Sequence, residues 1–283
     1  MKLVRFGAPG AEKPGLVDAQ GAVRDLSAHV KDITGDVLGP ASLDKLRAID
    51  PNSLPLAPKG VRFGPPVGGM RNFIAVGLNY VDHAKETNSP IPGEPILFNK
   101  LTNCIVGPND DVMVPKGSIK LDYEIEIAFV IGKRARYIAS EKDALDYIAG
   151  YCICNDVSER HFQSERGGQW MKGKCAETFG PLGPWLVTKD EIKNVQNLSM
   201  SLDVNGQRRQ TGNTETMIFS IAHCMYYITQ FMVLEPGDVV TTGTPPGVAL
   251  GMKPPLWLKP GDVMTLKMEG LGEQQQKVVA FKE

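Results

Sequence analysis

Two glutamates carry the clearest chemical information in this chain of 283 residues. Glu124 and Glu126 stand two positions apart in the alternating segment Asp-Tyr-Glu-Ile-Glu-Ile-Ala-Phe. Side chains two apart on a β-strand point to the same face, so these carboxylates would repel each other unless a cation lay between them. Carboxylate oxygens suit the hard cations Mg²⁺, Mn²⁺ and Ca²⁺. The pair indicates either a metal site or an ordinary solvent-facing strand.

A third acid favours the metal site. Asp156 directly follows the end of the next predicted strand, which covers Tyr151–Cys154 and continues to Asn155. A short helix predicted over 140–148, with Ser140 as its cap, connects the two strands. The three acids can therefore meet at one edge and leave positions for water and substrate, with Mg²⁺ as the first expectation and Mn²⁺ or Ca²⁺ as alternatives.

A histidine and a glutamate form the second group. His83 precedes Glu86 by three positions, a spacing that makes them neighbours on a helical turn. A carboxylate that accepts one imidazole N–H fixes the tautomer and raises the basicity of the other ring nitrogen, as a general base requires. The pair indicates either a base that activates water or an exposed ion pair at the start of a helix.

Polar side chains further along the chain could bind a substrate. Arg160, Gln163 and Lys174 could hold a carboxylate or carbonyl oxygen beside a metal, although each could equally be a surface residue. Thr244 lies in a Gly- and Pro-rich segment without the lysine of a phosphate-binding loop. That segment is either a plain turn or a clamp of hydroxyl and amide groups on substrate oxygens.

Composition excludes several classes of protein. Lys and Arg total 31 against 32 Asp and Glu, a balance that argues against a nucleic-acid partner. No apolar stretch approaches the roughly 20 residues that span a bilayer, and the first residues lack the apolar core of a secretion signal. We therefore expect a cytoplasmic protein with no nucleic-acid or membrane partner.

The pattern of elements predicts a mixed, β-rich α+β fold with two domains. Residues 1–68 form a small N-terminal α/β domain and linker, with a hairpin that turns at 18–21 and a helix over Pro40–Ile49 capped by Ser42. Residues 69–283 form the catalytic domain, with strands over 73–76 and Tyr123–Ile131 and a helix over Thr216–Met232.

Five segments, in this order, resemble the fumarylacetoacetate hydrolase family: GLNYVDHAKE, LDYEIEIAFVIGK, NDVSERHFQ, GKCAETFGPLGPWLVT and LEPGDVVTTGTPPGV. The resemblance covers residues from about 71 to the end and is nearest to the bacterial branch that hydrolyses 2,4-diketo-3-deoxy sugar acids. Members of that branch are often labelled ureidoglycolate lyase or diene-dioate isomerase. The resemblance implies a β-sandwich roll, a homodimer and a Mg²⁺-type cation held by three acids.

Position by position, the resemblance implies a role for each of these groups of residues. It makes Glu124, Glu126 and Asp156 the metal ligands, and it makes His83 and Glu86 a water-activating dyad on a mobile lid. The matching substrate-contacting positions are Arg160, Gln163, Lys174 and Thr244.

The function expected from these residues is metal-dependent C–C hydrolysis of a 2,4-diketo acid to pyruvate and a small acid. Lys174 would also act in catalysis, with Gln163, by stabilising an oxyanion. The alternative is a lyase, decarboxylase or isomerase of a related 2-oxo acid, which needs no attacking water. The alternative outside the enzymes is a metal-dependent binding protein that catalyses no reaction.

Overall fold

In the computed structural model, which describes residues 1–282, short strands dominate. The strands in chain order are β1 (Lys2–Phe6), β2 (Lys13–Val17), β3 (Val23–Asp25), β4 (Phe73–Gly77), β5 (Ile96–Lys100), β6 (Ile105–Val106), β7 (Val112–Met113), β8 (Leu121–Asp122), β9 (Ile125–Ile131), β10 (Ile148–Asn155), β11 (Ser158–Glu159), β12 (Gly180–Thr188), β13 (Ser199–Val204), β14 (Gln207–Asn213), β15 (Val239–Thr241), β16 (Val263–Met268) and β17 (Gly272–Val279). The α-helices are α1 (Pro40–Arg47), α2 (Val81–Glu86), α3 (Arg160–Ser164), α4 (Met171–Lys174) and α5 (Ile221–Ile228). This content confirms the mixed, β-rich α+β class.

A large mixed sheet forms the body of the fold. Its strands run in the order β3-β2-β1-β12-β10-β9-β15-β4-β5, and β6 pairs with β12 beside this path. Strand β9 is central and all seven of its residues are buried, so neither face of it meets solvent. A second sheet, in the order β14-β13-β16-β17-β7, places β16 and β17 against β10 and β12. The two layers enclose the apolar core in the sandwich arrangement of the predicted roll.

The N-terminal strands extend the large sheet. Strand β1 pairs antiparallel with β12, with Leu3 opposite Leu186, and the predicted hairpin forms β2 and β3. Leu3 and Leu16 belong to the same buried core as the strands of the catalytic region. The division at residue 68 stays a prediction about independent folding, because the two parts share a sheet and a core.

Three predicted helices differ in detail. Helix α1 begins at Pro40 after Gly39, so Ser42 is not its cap, as expected from the preference of proline for the first turn. The helix predicted at 140–148 is a 3₁₀ helix, Glu141–Tyr147, although the Ser140 hydroxyl does accept a hydrogen bond from the Lys142 N–H at 3.2 Å. In both cases the sequence pattern predicted where the helix lies, but it missed the cap of α1 and the 3₁₀ type of the second helix.

The helix predicted over Thr216–Met232 is shorter, and Asn79 explains why. The main-chain N–H of Ile218 donates to the Asn79 carbonyl at 2.8 Å, and the Phe219 N–H donates to the Asn79 side chain at 2.8 Å. These bonds hold the chain extended until Ser220, whose hydroxyl accepts from the His223 N–H at 3.0 Å and begins α5. The spacing of apolar residues within the helix could not predict hydrogen bonds to Asn79, which lies far away in the sequence.

No helix within residues 1–282 combines the length and the apolar character needed to traverse a lipid bilayer. Cys152 and Cys154, the only Cys-x-Cys pair in the sequence, are buried in the middle of β10. Both thiols therefore contribute to the core of the sheet rather than to its surface.

Candidate active site

Antiparallel pairing brings the three predicted metal ligands together. Strand β10 ends where β9 begins, with Cys154 opposite Glu126, and the Asp156 N–H donates to the Glu124 carbonyl at 2.9 Å. All three acidic side chains are buried, and one carboxylate oxygen from each lies within 4.8 Å of the others. The burial of Glu124 and Glu126 therefore excludes the solvent-facing alternative for these glutamates.

Two of the three carboxylates are paired with buried cations. Lys174 lies between Glu124 and Asp156, with its Nζ 2.5 Å from Glu124 Oε2 and 2.8 Å from Asp156 Oδ2. Arg160 Nη2 donates to Glu124 Oε1 at 2.6 Å. Lys100 Nζ donates to Asp156 Oδ1 at 2.5 Å. Glu124 and Asp156 are thus held in place by charge-assisted hydrogen bonds.

Within residues 1–282, the hydrogen-bond partners of Glu126 are neutral groups. Its Oε2 accepts hydrogen bonds from the Thr241 hydroxyl and from the Gly243 N–H, the latter at 2.8 Å. Burial, together with the nearby carboxylates of Asp156 and Glu124, raises the pKa of Glu126 to about 8. At Glu124 burial acts in the same direction, but Arg160 and Lys174 outweigh it and lower the pKa to about 2. Of the three carboxylates, Glu126 is therefore the one that no Lys or Arg side chain within residues 1–282 bonds to.

This arrangement suits a hard divalent cation. The donors are oxygen atoms only, as Mg²⁺, Mn²⁺ and Ca²⁺ prefer. A divalent cation would supply the positive charge that is missing beside Glu126. The bound cation would favour the ionised form of the Glu126 carboxylate. The residues present therefore fit the predicted metal, with Glu124, Glu126 and Asp156 as the groups that would hold it.

The predicted dyad forms on helix α2. His83 Nδ1 lies 3.3 Å from Glu86 Oε2, and Glu86 Oε1 accepts a hydrogen bond from the Gly247 N–H at 2.9 Å. A carboxylate only accepts, so in the neutral imidazole the hydrogen of the His83–Glu86 contact is on Nδ1 and Nε2 carries the lone pair. Asn79 anchors the start of this helix because its Nδ2 donates to the carbonyl of Thr242 at 2.9 Å.

The predicted substrate-contacting residues line one cavity with the acids and with His83. The cavity holds about 180 Å³ and includes Arg160, Gln163, Lys174 and Thr244 in its wall. Gln163 Oε1 accepts from Arg160 Nη1 at 3.0 Å. The Thr244 hydroxyl donates to the Ile125 carbonyl at 2.9 Å and accepts from Gln210 at 2.8 Å, so protein partners already hold its hydrogen. The structure brings all nine predicted site residues to this one place.

Sequence analysis missed two buried residues behind the site. Asp122 accepts from Arg160 Nε at 2.8 Å and from the main-chain N–H groups of Ala249 and Leu250. Its position two residues before Glu124 was a usable indication, because Asp122 continues the alternating series of acids. Lys100 gave no such indication, because its partner Asp156 lies far along the chain.

Lys100 allows a prediction about stability. Its side chain is completely buried, and although burial alone would lower its pKa, Asp156 outweighs burial and raises it. Lys100→Met should therefore lower the free energy of unfolding by about 3–5 kcal/mol, because it leaves Asp156 short of a buried partner. Chemical denaturation measures this change.

The matched control is Lys120→Met, which removes the surface ion pair with Glu165. The Lys120 and Glu165 side chains are 31% and 48% exposed, so that variant should lose no more than about 1 kcal/mol. Equal losses in the two lysine variants would contradict the structural role given to Lys100.

The comparisons with known proteins agree with this fold. The fumarylacetoacetate (FAA) hydrolase C-terminal family matches residues 72–279, and the chain therefore belongs to that family of enzymes. A protein of Burkholderia multivorans, named only as a candidate hydrolase, is 56% identical over 277 residues and covers 98% of each chain.

Solved structures show the same fold. A fumarylacetoacetate hydrolase from the psychrophile Exiguobacterium antarcticum has a TM-score of 0.87 at 35% identity, covering 99% of this chain and all of that one. A 2-hydroxyhepta-2,4-diene-1,7-dioate isomerase from Mycobacterium marinum has a TM-score of 0.75 at 29% identity over the full length of both chains. The family therefore includes proteins named as hydrolases and as isomerases, and the reaction of this chain must be argued from its own site.

Proposed function

We propose that this protein is a metal-dependent hydrolase that cleaves the C–C bond of a 2,4-diketo acid and releases pyruvate and a small carboxylic acid. The observation that carries the proposal is the dyad: His83, bonded to Glu86, lines the same cavity as Glu124, Glu126 and Asp156. An isomerase moves protons within its substrate and needs no group that activates water. A base with a free ring nitrogen beside a cation site favours hydrolysis.

The dyad generates the nucleophile. Glu86, held by the Gly247 N–H, keeps the hydrogen of the His83 imidazole on Nδ1. Nε2 then accepts a proton from a water molecule as that water adds to the C4 carbonyl of the substrate. The proton stays on the imidazole, whose positive charge Glu86 stabilises.

Polar side chains of the cavity wall stabilise the negative charge that develops on the C4 oxygen. Lys174 and Gln163 line the cavity and can donate hydrogen bonds to the C4 oxyanion. When the oxyanion collapses, the C3–C4 bond breaks, C4 becomes the carboxyl carbon of the released acid, and the electron pair passes to the enolate of pyruvate. A divalent cation held by the three acids would act as a Lewis acid that stabilises enolate charge. Transfer of the proton from the His83 imidazole to C3 of the enolate completes pyruvate and returns His83 to its neutral form.

A pyruvate-release assay tests this function. The purified protein with Mg²⁺ should release pyruvate from acylpyruvates or 2,4-diketo-3-deoxy sugar acids, and excess chelator should stop the release. A metal-dependent conversion of these acids without pyruvate would favour the isomerase, and no conversion of any of them would favour a binding protein.

We also propose that residues 79–93 act as a lid. This segment carries the dyad on α2 and continues into a polar stretch in which Ile91 is 56% exposed. Oxalate, which resembles the enolate of pyruvate, should slow amide hydrogen exchange in residues 79–93 when Mg²⁺ is present. Unchanged exchange there, together with measurable oxalate binding, would contradict the lid.

The assembly and location belong to the same proposal. We infer a homodimer, as the family resemblance implies, and a cytoplasmic location, as expected from the sequence. Light scattering on the purified protein would determine the mass of the assembly.

A further inference from the structure

The wall of the active-site cavity changes character between its closed end and its mouth. The acids, Arg160 and Lys174 are buried at the closed end. Nearer to solvent the wall is uncharged and includes the apolar side chains of Leu78, Phe98, Trp170 and Leu250. The first three are half-buried, and Leu250 is 42% exposed. Thr87, Ser89 and Ser164 complete this part of the lining with hydroxyl groups.

Two aromatic rings form the firmest part of the uncharged wall. Phe98 and Trp170 meet edge to face with their ring centroids 5.4 Å apart. The Trp170 ring packs on the main chain of Gly77, where an added Cβ would lie 2.2 Å from a ring carbon. Lys174 Nζ is 5.5 Å from the centroid of the Phe98 ring, so this wall begins directly beside the charged end.

The cations of the cavity are already engaged. Arg160 and Lys174 are the Lys and Arg side chains that line it, and their nitrogens bond to Asp122, Glu124, Asp156 and Gln163. In the proposed reaction Lys174 serves the C4 oxyanion, and Arg160 remains bonded to Asp122, Glu124 and Gln163. A second carboxylate, at the far end of the substrate, would face Phe98 and Trp170 with no cationic partner, and the burial of an unpaired charge is costly.

We infer that the substrate carries an uncharged, short substituent beyond its C4 carbonyl, and that this protein discriminates against diketo acids with a second carboxylate. The inference rests on the proposed function for the orientation of the substrate. The cavity of about 180 Å³ is smaller than the roughly 300–1,000 Å³ of ordinary small-molecule sites, which favours a short substituent.

A matched pair of substrates tests the inference. 2,4-Dioxoheptanoate and 2,4-dioxoheptanedioate have the same number of carbons and differ in a terminal methyl against a terminal carboxylate. With Mg²⁺, kcat/KM for pyruvate release should favour the monocarboxylate by at least about 10-fold. The second carboxylate of the other compound loses its hydrogen bonds to water when it enters the uncharged part of the cavity. Equal values, or a preference for the dicarboxylate, would overturn the inference.

Binding separates this inference from the proposed function. Calorimetric titration of the Mg²⁺-loaded His83→Gln protein with each compound reports affinity without turnover, and the monocarboxylate should again bind at least about 10-fold more tightly. If neither compound releases pyruvate from the unaltered protein but this preference remains, the proposed hydrolysis fails and the inference stands. Equal affinities overturn the inference whatever the reaction is.

A charge introduced at the mouth should weaken the discrimination. Leu78→Arg places a cation on the uncharged wall and should reduce the preference for the monocarboxylate at least about 10-fold, in kcat/KM or in affinity. Leu78→Met, which adds no charge, should keep the preference. An unchanged preference in a folded Leu78→Arg protein would count against the placement of the distal group at this wall.

Discussion

His83→Gln should lower kcat for diketo-acid hydrolysis by roughly 10²–10⁴-fold, the range that general bases usually contribute. Glutamine cannot take a proton from water at neutral pH. Glu86→Gln should cost less, because Glu86 orients the imidazole and does not itself take the proton. Steady-state pyruvate release by the two variants, compared with the unaltered protein, measures both effects.

The control for His83→Gln is chemistry that needs no attacking water. Oxaloacetate decarboxylation passes through the same pyruvate enolate, so it should fall much less than hydrolysis in this variant. Oxalate binding in the presence of Mg²⁺ should survive, since His83 is not one of the proposed metal ligands. Near-normal hydrolysis by His83→Gln would show that water is activated elsewhere and would move the lyase or isomerase alternative ahead.

Glu126→Gln should abolish activity and weaken Mg²⁺ binding by more than about 100-fold. Loss of groups that only orient metal ligands costs 10–100-fold in many sites, and loss of a ligand should exceed that. Glu126 is the most sensitive of the three acids because its protein partners are an N–H and a hydroxyl, with no cation among them. Titration calorimetry with Mg²⁺ provides the measurement.

The fold should tolerate this substitution. A glutamine oxygen can still accept hydrogen bonds from Thr241 and the Gly243 N–H, so the midpoint of thermal unfolding should change little. Glu177→Gln, at an exposed glutamate three residues beyond Lys174, is the matched control and should keep full Mg²⁺ affinity. Full activity of Glu126→Gln in excess chelator would contradict the metal assignment.

Groups formed by nearby residues were predictable from the sequence. The separation of two between Glu124 and Glu126 and of three between His83 and Glu86 directly encodes a shared face of a strand or helix. Asp156 could be added because the carboxyl end of one strand meets the start of its antiparallel neighbour. These local rules predicted that the acids lie together and that His83 contacts Glu86, as the structure has them. The family resemblance added the residues that line the rest of the cavity.

Residues whose partners lie far along the chain could not be predicted in this way. Lys100 becomes part of the site only because β5 and the end of β10 converge on Asp156. Asn79 shortens the predicted C-terminal helix from a position far upstream in the sequence. The ion pairing of Lys174 with two of the predicted metal ligands, and the neutral partners of Glu126, likewise depend on tertiary packing.

The most direct test of the central claim is the fate of water oxygen. With Mg²⁺ and a diketo acid that releases pyruvate, the reaction is run in water enriched in oxygen-18, and the released acids are analysed by mass spectrometry. Attack of water on C4 predicts one labelled oxygen in the carboxylate of the non-pyruvate acid. Product formation without that label, or conversion of the diketo acid with no C–C cleavage, would contradict the hydrolase mechanism.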